Sequence, residues 1–151
     1  MKTMSDASNR QEIVTRIGKL LPSDTAKWGR MSVHQMTCHL TDSYLCALGE
    51  KTASSQTGLF QRTVMKWFAL KVPLPWPKGV ATRPEMEQGK GGSAPVAFDH
   101  DRVALVGVVN RFCDQLPHPA LQHPIFGPMT PADWFRWGYL HADHHLRQFG
   151  R

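Results

Sequence analysis

Apolar positions recur along this chain with the period of helices, and almost nothing alternates as a strand would. The first helical stretch is expected from Ser8 to Leu20. Ser8 with Gln11 forms a capping box there, and Ile13, Val14, Ile17, Leu20 and Leu21 make one apolar stripe that ends at Pro22. A second begins at Ser32, paired with Gln35 as a capping box, and runs through Met36, Leu40, Tyr44 and Ala47 to Gly49 as its stop. A third is expected over Gly58 to Lys71, with Leu59, Phe60, Val64, Trp67, Phe68 and Leu70 as its apolar residues. A fourth, Asp99 to Gln115, takes Asp99 or Asp101 as its cap and buries Val103, Val106, Val109 or Asn110, and Cys113.

The last helix starts at Thr130, with proline at its first position and Asp133 where the helix dipole favours an acid, and it runs to Phe149. Apolar residues lie on two sides of it. Such a helix belongs inside a bundle, where facing helices aim side chains at a common centre. The connections are rich in proline and glycine. The stretch from Val72 to Phe98 holds five prolines and the run Gly89 to Gly92, and a second such connection spans Leu116 to Met129. A loop as long as 72–98 is expected to lie over or beside the functional end of the bundle and shape access to it; the alternative is a belt over distant helix surface.

With 151 residues the chain is read as one domain, 1–151, large enough for a real core. It has no run of apolar residues long enough to span a bilayer and no secretory apolar stretch near Met1, so a cytoplasmic protein without a membrane partner is expected. Cys38, Cys46 and Cys113 form no closely spaced pair and are read as small reduced core residues. The net charge of +6 comes from scattered lysines and arginines, which argues against a nucleic-acid partner and for solvated surface.

The chemistry concentrates near the C-terminus. His141 and His145 are one helical turn apart, so their imidazoles project from one face and can grip one cation. Two ligands need a third. His39 is the strongest candidate because it lies mid-helix beside Met36 and Leu40, whereas His34 points about 140° away from it. His100, His118 and His123 fall at a helix start or beside proline, where solvent or backbone contacts are the better expectation. His144 and Gln148 are candidates for hydrogen bonding to the ligands, and Trp134, Trp137 and Trp76 for lining a pocket. Three core histidines bonded to backbone, with no metal, is the competing account.

Trp28 to Leu40, with Ser32 and His39 inside it, followed by Trp134 and by His141, His144, His145 and Gln148, resembles the DinB/YfiT-like superfamily of metalloenzymes. The segment at Trp76, the stretch His123 to Gly127 and the ending His144 to Gly150 look like an uncharacterised branch of it. The resemblance implies an all-α, antiparallel four-helix bundle with long Pro/Gly-rich connecting loops. It also implies a divalent metal, Zn2+ or Ni2+ first, held by His39, His141 and His145. Members of that superfamily include thiol transferases that use low-molecular-weight thiols and a thiol-dependent isomerase. The implied function is therefore a metal-dependent enzyme acting on a small electrophilic substrate, with a thiol as cosubstrate. A homodimer is an allowed assembly, and the alternative function is a non-catalytic metal-stabilised bundle or binding module.

Overall fold

The helices α1, α2 and α5 of this chain begin where a side chain satisfies the first free amides. The computed structural model describes residues 1–55, 57–80, 82–115 and 121–151, so His118 lies outside the described residues. Helix α1 (Ala7–Gly18) is capped by Asp6, whose carboxylate accepts from the Ser8 and Asn9 amides. The expected Ser8 cap is therefore displaced by two residues: an ionised carboxylate is the stronger acceptor for free amides at the positive end of a helix. Helix α2 (Val33–Ala47) carries the expected capping box, with the Ser32 hydroxyl on the Gln35 amide and the Gln35 side chain back on the Ser32 amide. It ends before Gly49, which takes a positive φ of 78°. The last helix, α5 (Pro131–Gln148), starts on the Thr130–Asp133 capping box with proline at its first position.

The remaining elements depart further from expectation. The third helical stretch contains a π-helical segment, Gln61–Met65, which runs on into α3 (Lys66–Lys71), and only Leu70 in α3 is buried. Helix α4 (Phe98–Asp114) has no side-chain cap, because Asp101 accepts from the Val96 amide and from His34 instead. Its buried face is Leu105, Val108, Val109 and Phe112, while Val103 is 69% exposed. The expected register was thus rotated, except at Val109. A two-residue ladder, β1 (Gln122–His123) with β2 (Gly127–Pro128), forms a hairpin in the second Pro-rich connection, with His123 opposite Gly127.

The fold is mostly helical with this one small antiparallel pair. Helix α1 packs on α4 and α5, and α2 packs on the same two, so the core lies between all four. Ile13, Ile17, Met36, Leu40, Tyr44, Leu105, Val109, Phe112 and Leu146 are its buried centre. Two contacts fix how closely α5 enters. The Tyr44 hydroxyl donates to the Gly138 carbonyl at 2.7 Å, and a Cβ on Gly138 would come within 2.7 Å of the Phe112 ring. Only glycine allows that approach, and it sets the depth at which the next turns of α5 present His141 and His145 to α2. No described helix is long and apolar enough to cross a membrane.

Candidate metal centre

The turn of α2 at His39 faces the turns of α5 at His141 and His145, and the three side chains bring ligand nitrogens within 4.8 Å of one another. His39 and His145 are buried and His141 is half-buried. The Nε2 atoms of His39 and His141 are 3.3 Å apart. The ring centroid of His39 is 5.3 Å from that of His141 and 4.8 Å from that of His145.

The surrounding hydrogen bonds settle which nitrogen of two rings carries the proton. His39 Nδ1 lies 3.2 Å from the Met86 carbonyl oxygen, which can only accept, so Nδ1–H donates and Nε2 keeps its lone pair. Gln148 Nε2 donates to the Trp28 carbonyl, which orients the amide so that Oε1 accepts from His145 Nδ1–H at 3.0 Å. His145 Nε2 is thereby left as a bare acceptor too. This pattern, Nδ1–H on a neutral oxygen with Nε2 free, is how metal-ligating histidines are held.

His141 completes the argument. Its buried Nδ1 has no partner among the described residues. If that nitrogen carries the proton, the Nε2 lone pairs of His141 and His39 oppose each other across 3.3 Å, an arrangement a shared cation relieves. If Nε2 carries it, one hydrogen bond to His39 forms and Nδ1 is left as a buried acceptor without a donor. Burial lowers the pKa of all three, His145 to about 3, and repulsion from neighbouring imidazoles adds to it, from His145 and His39 on His141, from His39 on His145 and from His144 on His39. All three are held neutral, the state that ligation requires. The donor set therefore fits a divalent ion: three imidazoles and no protein carboxylate, the set that suits Zn2+ and its neighbours.

The long loop reaches these histidines. The Trp76 ring lies 6.0 Å from His141 and 6.3 Å from His144, and its indole N–H is anchored on the Ala69 carbonyl. The 3₁₀ turn Pro84–Met86 supplies the carbonyl that holds His39. That turn is closed by the Gly91 amide on Pro84 O and the Gly92 amide on Glu87 O. A Cβ on Gly91 would come within 2.9 Å of Glu85 Cα, and one on Gly92 within 2.8 Å of the Glu87 carbonyl carbon.

Beside the centre lies a cavity of about 420 Å³, lined by Trp28, Trp76, Lys78, Tyr139, His144 and Arg147 among others. His144 is at the cavity wall with its ring against Trp28 and Trp76. Gln148 is the partner of a site histidine, as its position one turn on allows. Trp134 and Trp137 are not among the cavity residues. Both are core side chains, because α5 turns that side toward the hairpin; Trp137 touches His141 from within the core, 5.1 Å between centroids.

Three further described histidines have other partners. His123 is buried, not solvent-facing: its Nδ1 accepts from the Ile125 and Phe126 amides at 3.1 Å and its ring stacks on Phe126. His34 and His100 both bond to Asp101. Sequence reasoning did not single out the Met86 and Trp28 carbonyls, since a main-chain acceptor leaves no residue-type signal. Trp28 was visible only as part of a motif.

The profile of DUF1569, a family described as proteins of unknown function, matches residues 4–151. The chain belongs to the DUF1569 family. That match spans every helix and both sides of the histidine cluster, so the centre described here is internal to the DUF1569 domain. Comparison with curated proteins and with solved structures finds no match.

Proposed function

We propose that this DUF1569 protein is a metal-dependent enzyme of the DinB-like kind. In this reading α1, α2, α4 and α5 form an antiparallel four-helix bundle whose His39, His141 and His145 hold one divalent ion, Zn2+ or Ni2+. The observation that carries it is the pair of Nδ1–H bonds, His39 to Met86 O and His145 to Gln148, which leave the Nε2 lone pairs inside one shared space. Bound there with no protein carboxylate, such an ion keeps its charge and can acidify a ligated water or thiol and polarise a substrate oxygen.

The chain's own residues then have distinct tasks. Met86 O and Gln148 hold the tautomer and ring orientation of two ligands, and the Trp28 carbonyl fixes Gln148 in turn. Trp76 and Trp137 pack on His141 and limit water around it. The adjoining cavity, with Lys78, Arg147, Glu12 and Asp143 on its wall, has room for a small molecule with polar groups. The reaction class that fits is addition or transfer at a small electrophile, with a low-molecular-weight thiol as cosubstrate and a cytoplasmic setting. None of the three histidines lines that cavity; Trp76 and His144 stand on its wall and pack on His141 and His145, and a path past these two side chains is what catalysis, rather than a closed structural metal, would use.

The test is elemental analysis of the purified protein, followed by a screen of thiol transfer to small electrophiles with and without chelator. One metal per chain and chelator-sensitive turnover are expected. A protein that takes up no divalent metal would end the reading, and one metal with no turnover against any electrophile would leave the binding-module alternative.

A further inference from the structure

The third helical stretch turns most of its large apolar residues outward. Leu59 is 81% exposed, Trp67 61% and Phe68 51%, with Phe60, Val64, Leu74 and Val80 also exposed. In a regular α-helix Leu70 would lie only about 20° around the axis from Leu59. The wider turns of the π-helical segment lag in rotation and carry buried Leu70 round toward α5, leaving Leu59, Phe60, Val64, Trp67 and Phe68 together on the outer side.

Charge separates the occupants this face could take. From 51 to 84 the sequence holds Lys51, Arg62, Lys66, Lys71, Lys78 and Arg83 and no acidic residue. Asp42 pairs with Lys51, and Asp133 of α5 is shared by Lys66 and Lys71. Arg62 and Lys78 form no ion pair among the described residues: Arg62 bonds to the Thr57 hydroxyl, and the Lys78 ammonium lies over the Trp28 ring. A two-fold contact with a second copy would set this patch against itself and bring like charges together. An anionic surface with an apolar interior meets both properties at once, and a helix with exposed Trp, Phe and Leu flanked by lysine and arginine is the pattern that lies in a bilayer interface.

We propose that the stretch from Leu59 to Lys71 docks this protein on an anionic lipid surface, with Leu59, Phe60, Val64, Trp67 and Phe68 entering the boundary between headgroups and acyl chains. Lying on a membrane needs no spanning segment, so the absence of one in the described helices does not bear on it. The surface attachment is independent of the metal reading, because none of these five apolar residues belongs to the histidine cluster or lines the adjoining cavity.

Cosedimentation of the purified protein with vesicles tests it, one set of phosphatidylcholine alone and one of phosphatidylcholine with phosphatidylglycerol, together with light scattering of the protein by itself. Expected are binding to the anionic vesicles, much weaker binding to the neutral ones, weakening with added salt, and a loss of about tenfold or more in the double variant Trp67→Ser/Phe68→Ser. Both positions are exposed, so that variant should keep its helical circular dichroism. No binding to anionic vesicles, or equal binding to both sets, would overturn the proposal. So would a dimer in light scattering that the double variant splits, because a second copy would then cover the face.

Discussion

Two regions of this protein bury neutral histidines, and they carry the proton on opposite nitrogens. In the hairpin, His123 Nδ1 accepts from two backbone amides and the ring stacks on Phe126, so this imidazole is a brace for a tight turn. Between α2 and α5, His39 and His145 donate from Nδ1 and leave Nε2 unspent toward a common point. Both environments push the histidine pKa down through burial, to about 3 for both His123 and His145. Burial and a shifted pKa therefore do not separate a ligand from a structural histidine. The identity of the atom across from each Nδ1 does.

The largest expected break of that contrast is in metal content. His39→Ala or His145→Ala removes one of three neutral ligands and is expected to weaken metal affinity by about a thousandfold or more, whereas His123→Ala leaves one metal per chain. Competition with a coloured chelator reads this directly, and full affinity in the His39 variant would sink the three-histidine centre. The reverse holds for stability. Without metal, His123→Ala loses two hydrogen bonds and a stacked ring, and should cost about 2–4 kcal/mol in urea unfolding.

A finer cut goes through Gln148. Gln148→Leu removes the acceptor for His145 while leaving all three ligands, so metal affinity should fall about 10–100-fold. Gln148→Glu keeps an acceptor for His145 but loses the donor to the Trp28 carbonyl, so it should restore only part of the affinity; a loss in Gln148→Leu of less than about twofold would show that this acceptor does not hold the His145 ring.

The smallest effect is in pH dependence. His123 titrates near 3 when folded and near 6.5 when unfolded, so the unfolded chain takes up the proton first. Its contribution is whole above about pH 6.5 and is lost as pH falls from there toward about 3. His123→Phe, which keeps a ring to stack, should reduce the acid slope of metal-free stability by up to about 1.4 kcal/mol per pH unit in that window. An unchanged slope would mean that His123 is protonated in the folded protein.

Much of the scaffold was legible because helix signals are local. Ser32 with Gln35 and Thr130 with Pro131 and Asp133 start helices where the sequence indicates. The four-residue step from His141 to His145, and His39 on the core side of its helix, are likewise local patterns, and the structure brings the three together. What failed depended on distant partners. Asp101 could not cap α4 once its carboxylate was engaged by Val96 and His34, and the face that α4 buries was chosen by its neighbours. The π-helical turn changes which side of the third stretch faces the body, and no residue type marks it. Trp134 and Trp137 read as pocket residues by proximity in sequence, yet the hairpin that covers them arrives from another part of the chain.

The Met86 carbonyl has a consequence for how the protein tolerates genetic change. An oxygen of the main chain is supplied by whichever amino acid occupies the position, so substitutions at 86 that keep the turn cannot delete the acceptor for His39. The vulnerability is displaced along the chain. The turn that aims this carbonyl is closed by Gly91 and Gly92, where a single added methyl would collide with backbone. In a saturation screen scored by metal retention, Gly91 and Gly92 should appear as intolerant as a ligand while contacting no histidine, and the buried position 86 should accept other apolar side chains.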